Sequence, residues 1–220
     1  MSDLAARIAR LEARILRACE EAGRDRPSVE LLPVSKHQPL DLIREAMALG
    51  YRRFGENYVQ EGAGKAEALP EASFLLLGPL QRNKTRPALT RFKELLSVDR
   101  QPLAQRLAAQ AVELEVECPV WIQVDLWEEA TKQGGCPASE LEGLIRLLAE
   151  CPALPLLGFM ALPPPGFPEA FRQMAGLRET WQDRLGRPLR LSMGMSDDLE
   201  SAIRAGSDQI RVGTAFFGTR

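Results

Sequence analysis

The stretch SVELLPVSKHQPLDLIREAMALGYRRFGENYVQE (28–61) decides the fold. It opens with a short apolar run at 29–35, the length of a buried strand rather than a helix. An amphipathic helical stretch follows at 40–49, then a second strand at 52–55 and another helical stretch at 57–69. A strand, a helix and a strand in that order predict parallel pairing through a right-handed crossover. The same alternation continues outward. Candidate strands lie at 73–77, 95–98, 119–124, 155–160, 189–192 and 209–212, with helical stretches at 101–114, 139–150 and 167–185. Eight strands within 220 residues predict an α/β fold, a single TIM-type (β/α)8 barrel domain over 1–220, rather than an open sheet. Upstream, Leu4, Ile8, Leu11, Ile15, Cys19 and Ala22 recur every three or four residues, the pattern of an extra N-terminal helix. Ser2 is its N-cap, Gly23 is its stop, and Arg7, Arg10, Glu12, Arg14 and Arg17 form a solvated face.

Composition narrows the function classes. The 28 basic and 30 acidic residues give a net charge of −2 with no basic block, which argues against nucleic-acid binding. No apolar run reaches the roughly 20 residues of a membrane span, and the first 16 residues lack the apolar core of a signal peptide. Cys19, Cys118, Cys136 and Cys151 form no CxxC pair, so a reduced, cytoplasmic protein is expected. One histidine and no clustered carboxylates leave no basis for a metal site or a Ser–His–Asp triad. The charged surface pattern fits a monomer.

In a TIM-type barrel, chemistry sits where strands end. Lys36 ends the first strand, where partial desolvation favours the neutral, nucleophilic amine of a lysine. The same position also suits a surface or salt-bridging lysine. After the seventh strand, Ser192-Met-Gly-Met-Ser196 opens a helix near Asp197, with Asp197 and Glu200 spaced as a capping box. Gly213-Thr214 follows the eighth strand. Together these loops suit a phosphate, although ordinary glycine turns with a helix cap explain the pattern as well. Arg211 shares the face of Gly213; buried there, it needs an acceptor such as a pyridine nitrogen, or a carboxylate. His37, next to Lys36, reads as a partly exposed loop residue.

The segments LLPVSK (31–36), RRFGENYVQE (52–61), LLGPLQRNK (76–84), SVDR (97–100), TKQG (131–134), LLGFMAL (156–162), LSMGMSDDLESAIRAGS (191–207) and IRVGTAFFG (210–218) resemble, in order, the pyridoxal phosphate homeostasis protein family. The resemblance implies a barrel like the N-terminal domain of alanine racemase, holding pyridoxal 5'-phosphate (PLP) as a Schiff base on Lys36. It implies that Asn57 lines the cofactor pocket, that Ser196, Gly213 and Thr214 contact the phosphate, and that Arg211 partners the pyridine nitrogen. It further implies a role in vitamin B6 homeostasis as carrier or regulator without established catalysis, with PLP-dependent apo-enzymes as partners. The chain departs from the family at Leu75-Leu76-Leu77-Gly78, Thr131-Lys132-Gln133-Gly134 and His37; none of these is a proposed cofactor contact. A PLP-dependent amino-acid racemase is the main alternative. It needs acid–base groups on both faces of a carbanion, and the tyrosine that alanine racemases bring from a separate β-domain has no counterpart expected here. A Schiff-base aldolase using Lys36 is the third reading.

Overall fold

A computed structural model of the chain describes residues 2–127, 134–164 and 166–218. The segment Thr131-Lys132-Gln133 of the TKQG motif lies outside them. Among the described residues the order is α1 (Asp3–Glu21), β1 (Glu30–Pro33), α2 (Leu40–Ala48), β2 (Arg53–Glu56), α3 (Val59–Ala68), β3 (Ser73–Leu76), α4 (Thr85–Arg91), β4 (Glu94–Val98) and α5 (Gln101–Glu113). It continues with β5 (Val120–Asp125), β6 (Cys136–Pro137), α6 (Ala138–Ala149), β7 (Leu156–Ala161), α7 (Glu169–Leu185), β8 (Arg190–Ser192), α8 (Leu199–Arg204), β9 (Gln209–Val212) and α9 (Thr214–Phe217). With the two-residue β6 set aside, this is the expected alternation, an α/β fold of the TIM-type (β/α)8 class preceded by α1.

The chain packs as two compact units, one of residues 1–55 with 163–220 and one of 56–162. In the first, β1 pairs in parallel with β9, β9 with β8, and Val34 beyond β1 bridges Gly55 of β2. Helix α1 forms as its stripe predicts. Ser2 Oγ accepts the Ala5 N–H at 3.2 Å, Leu4, Ile8, Leu11 and Ile15 are buried, and Gly23 follows the helix at φ +64°. Its charged face is not simply solvated. Arg7 donates to the Phe217 carbonyl, Glu12 pairs with Arg26, and Arg14 reaches residues nearly two hundred positions away. Such half-buried arginines contribute packing as well as charge.

In the second unit β3 pairs with β4, β4 with β5, and β5 with both β6 and β7, all in parallel. Its core centres on Trp121, whose indole N–H donates to Glu94 Oε2 at 2.9 Å, so the largest buried side chain leaves no polar atom unmet. Helix α4 is not among the helical stretches expected from sequence, and it contains Pro87. The proline stands at the third helical residue, where the missing N–H removes no intrahelical bond. The two-residue β6 is too short to carry a periodic signal.

Gly78, just past β3, lies against the backbone of Asn57, and a Cβ there would collide with the Asn57 carbonyl. Because the obstacle is backbone, the strand ends must part to admit a methyl group. Gly78→Ala is therefore expected to lower stability by about 1–3 kcal/mol. Equilibrium urea unfolding measures this; an unchanged midpoint would contradict the close approach.

Candidate functional site

Lys36 sits in the turn that follows β1. Ser35 N–H donates to the Gly55 carbonyl at 2.9 Å and Gln38 N–H closes the turn on the Ser35 carbonyl at 3.0 Å. The lysine is half-buried, whereas His37 is exposed at φ +60°. The positive φ is what turns the chain after the lysine, and histidine tolerates that conformation better than a β-branched residue would.

The neighbouring strand ends supply the rest. Val34 N–H donates to the Val212 carbonyl at 2.9 Å, so the chain leaves β1 beside the point where it leaves β9 at Gly213-Thr214. On the other side of β9, Ser192 of β8 is in register with Gln209, and Met193 N–H donates to the Gln209 carbonyl at 3.1 Å. Lys36, Gly213-Thr214 and the loop 192–196 thus leave three adjacent strands. The loop is tied down at several points. Gly194 has φ +95°, and a Cβ there would stand 2.5 Å from that of Ala202, so only glycine lets the loop lie on α8. Arg211 N–H donates to the Gly194 carbonyl at 3.0 Å.

The loop's acid is Asp198 rather than Asp197. Asp198 is the N-cap of α8, and its carboxylate accepts the Met195 N–H at 2.6 Å. Glu200, expected to close a capping box, instead takes Arg14 of α1 by Nε at 2.8 Å and Nη2 at 3.1 Å. Arg14 Nη2 also donates to the Ser196 carbonyl at 2.9 Å. The N-terminal helix, whose Arg14 was expected on a solvated face, therefore holds the residue that the resemblance gives to the phosphate. No local signal marks Arg14, because its partners lie beyond its helix.

Arg211 points inward from β9 and is only 4% exposed. Burial pushes its pKa down to about 10, with Asp198 acting in the opposite sense, so it stays cationic at neutral pH. Its Nη1 donates to Ser192 Oγ at 2.7 Å. Lys36, Ser196, Arg211, Gly213 and Thr214 all belong to the first unit. Asn57 belongs to the second, after β2, beside Gly78, whose carbonyl accepts from Ser97 Oγ at 2.6 Å. In that unit Lys65 is buried between Glu56 at 2.8 Å and Glu61 at 2.7 Å, an ion pair behind the Glu56-Asn57 turn.

Three of the four cysteines are buried. These are the free thiols Cys19, Cys118 and Cys136, and burial pushes the last two up to about 12. Among the described residues no group of three metal-ligating side chains forms, and no helix is long and apolar enough to cross a membrane.

The model of the alanine racemase N-terminal domain family matches residues 7–220. A pyridoxal phosphate homeostasis protein of Pseudomonas aeruginosa is 44% identical over 225 residues, covering 100% of this chain and 97% of that protein. The chain belongs to the pyridoxal phosphate homeostasis protein family. The corresponding protein of Vibrio cholerae is 40% identical over 100% of this chain and 98% of its own. The structure of PipY of Synechococcus elongatus with PLP bound superposes with a TM-score of 0.82 at 35% identity, covering 93% of this chain and 100% of that one. An alanine racemase of Clostridium difficile shares the fold, with a TM-score of 0.77 at 14% identity over 99% of this chain and 57% of that one.

Proposed function

We propose that this chain binds pyridoxal 5'-phosphate through a Schiff base on Lys36 and serves PLP homeostasis as a carrier, without turning over amino acids. The observation that supports this reading is the adjacency of the ends of β1, β9 and β8, which Lys36, Gly213-Thr214 and the loop 192–196 follow. The donor set there fits the group. Ser196, Gly213 and Thr214 offer neutral donors to a dianion, Lys36 offers a nucleophile to an aldehyde, and Arg211 offers N–H to a ring nitrogen. Asn57 is assigned to the pocket by family resemblance. The PLP-bound relative PipY supports the cofactor assignment. Bound PLP supplies an electron sink; Arg211, cationic at the ring nitrogen, opposes protonation of that ring and so weakens the sink.

The tyrosines argue against a racemase. The chain has two, Tyr51 and Tyr58. Tyr51 donates to Glu12 at 2.9 Å, and burial together with that carboxylate raises its pKa, so it is held as a structural donor. Tyr58 is an exposed residue at the start of α3. Neither is arranged as a poised acid.

The purified protein is expected to show a visible absorbance band that hydroxylamine shifts, and amino acids are expected to perturb the band while remaining chemically unchanged. Incubation with L-alanine in D2O reads both. A colourless protein to which added PLP gives no band would overturn cofactor binding, and deuterated or D-alanine in excess of protein would return the racemase to first place.

A further inference from the structure

Behind Arg211 a buried row of polar side chains runs through the first unit. Ser192, at the end of β8, and Gln209, at the start of β9, are register partners with no measurable exposure. Ser192 Oγ accepts from Arg211 Nη1 at 2.7 Å and donates to Gln209 Oε1 at 2.7 Å. Gln209 Nε2 donates to Glu30 Oε2 at 3.0 Å. Glu30 also accepts from Arg53 Nε at 2.7 Å and from Arg190 Nη2 at 3.2 Å.

The direction of this row is forced. A guanidinium only donates, so Ser192 must accept from Arg211 and has a single proton left for Gln209. Burial works to raise the Glu30 carboxyl, but Arg53, Gln209 and Arg190 outweigh it and hold it below the usual range. An ionised carboxylate only accepts, so Gln209 must turn its NH2 toward Glu30 and its oxygen toward Ser192. Every link points the same way, and Glu30 sets the polarity from the far end. A well-packed apolar row would stabilise the strands at least as well, so the polarity calls for another use.

We infer that Glu30, Gln209 and Ser192 are positioning residues for Arg211, holding its guanidinium in one orientation and thereby setting how strongly the chain selects a ligand ring with an acceptor nitrogen. This rests on the PLP reading above. Rigid placement matters because a buried donor gains from an acceptor only where the geometry is right, so a ligand that carries the acceptor gains over one that lacks it.

The test uses the full chain with three ligands: PLP, its 1-deaza analogue with carbon in place of the ring nitrogen, and pyridoxal. The wild type is expected to prefer PLP over the deaza analogue by about ten- to hundredfold, the range of one hydrogen bond to a charged group. In Gln209→Met and in Gln209→Leu this preference should fall to about threefold or less, while the preference for PLP over pyridoxal is unchanged. Thermal unfolding verifies that each variant is folded, and if Gln209→Met is not, Gln209→Leu carries the same comparison. Variants that keep the wild-type preference, or that lose all three ligands equally, overturn the inference, as does a wild type that binds PLP and the deaza analogue alike. A wild type that binds none of the three overturns the PLP reading instead.

Discussion

Lys36→Ala is expected to abolish the visible band and all borohydride-fixed cofactor while leaving the fold intact. On the proposed reading the Lys36 amine forms the covalent bond to the ligand, so its removal takes away the nucleophile itself. The lysine is half-buried in a turn, and its side chain lies outside the buried core, so its loss removes little packing. Reduction of the wild type with borohydride, followed by peptide mass mapping, should place one pyridoxyl group on the peptide containing Lys36. An adduct on Lys84 or Lys132 in its place would sink the assignment. So would a variant that keeps its band. Circular dichroism separates loss of the amine from loss of the fold, since the latter would reduce the helical signal as well.

The second large effect concerns the phosphate. PLP is expected to bind about a hundredfold or more tightly than pyridoxal, because charge-assisted hydrogen bonds to a dianion are roughly twice as strong as neutral ones and several act together. The motive is the adjacency of loop 192–196 and Gly213-Thr214 across β8 and β9, with Ser196 held from behind by Arg14. Titration of the absorbance band with each ligand measures the ratio. Thr214→Val should reduce it by roughly tenfold, the worth of one such bond, with pyridoxal affinity little changed. Comparable affinities for PLP and pyridoxal in the wild type would remove the phosphate cradle from these loops. The ratio should also fall as salt rises if exposed charge dominates, and hold steady if directional hydrogen bonds do.

Much of the architecture was legible because its signals are local. The spacing of Leu4, Ile8, Leu11 and Ile15 marks α1, and Ser2 and Gly23 mark its ends, all within a few turns of chain. Short apolar runs between amphipathic stretches gave the strands of both units to within a residue or two. Helix α4 spans only seven residues, too few for a clear periodic signal. The capping box at Asp197 and Glu200 failed because Asp198 is the N-cap, which leaves Glu200 one residue short of the capping-box position, and Glu200 pairs with Arg14 instead.

The sequence by itself determined the α/β alternation, the N-terminal helix and the family, because hydrophobic period and motif order are written along the chain. It also indicated Lys36, Gly213 and Thr214 by their places after strands. Only the tertiary structure decided who serves whom. Arg14 meets Ser196 across 182 residues, and Gln209 meets Glu30 across 179. Arg211, for which sequence left a carboxylate or a ring nitrogen open, has Ser192 as a partner. The physical reason is register. Which side chains share a hydrogen bond depends on how β1, β8 and β9 slide against one another, and that is fixed by the packing of all three strands, not by the composition of any one.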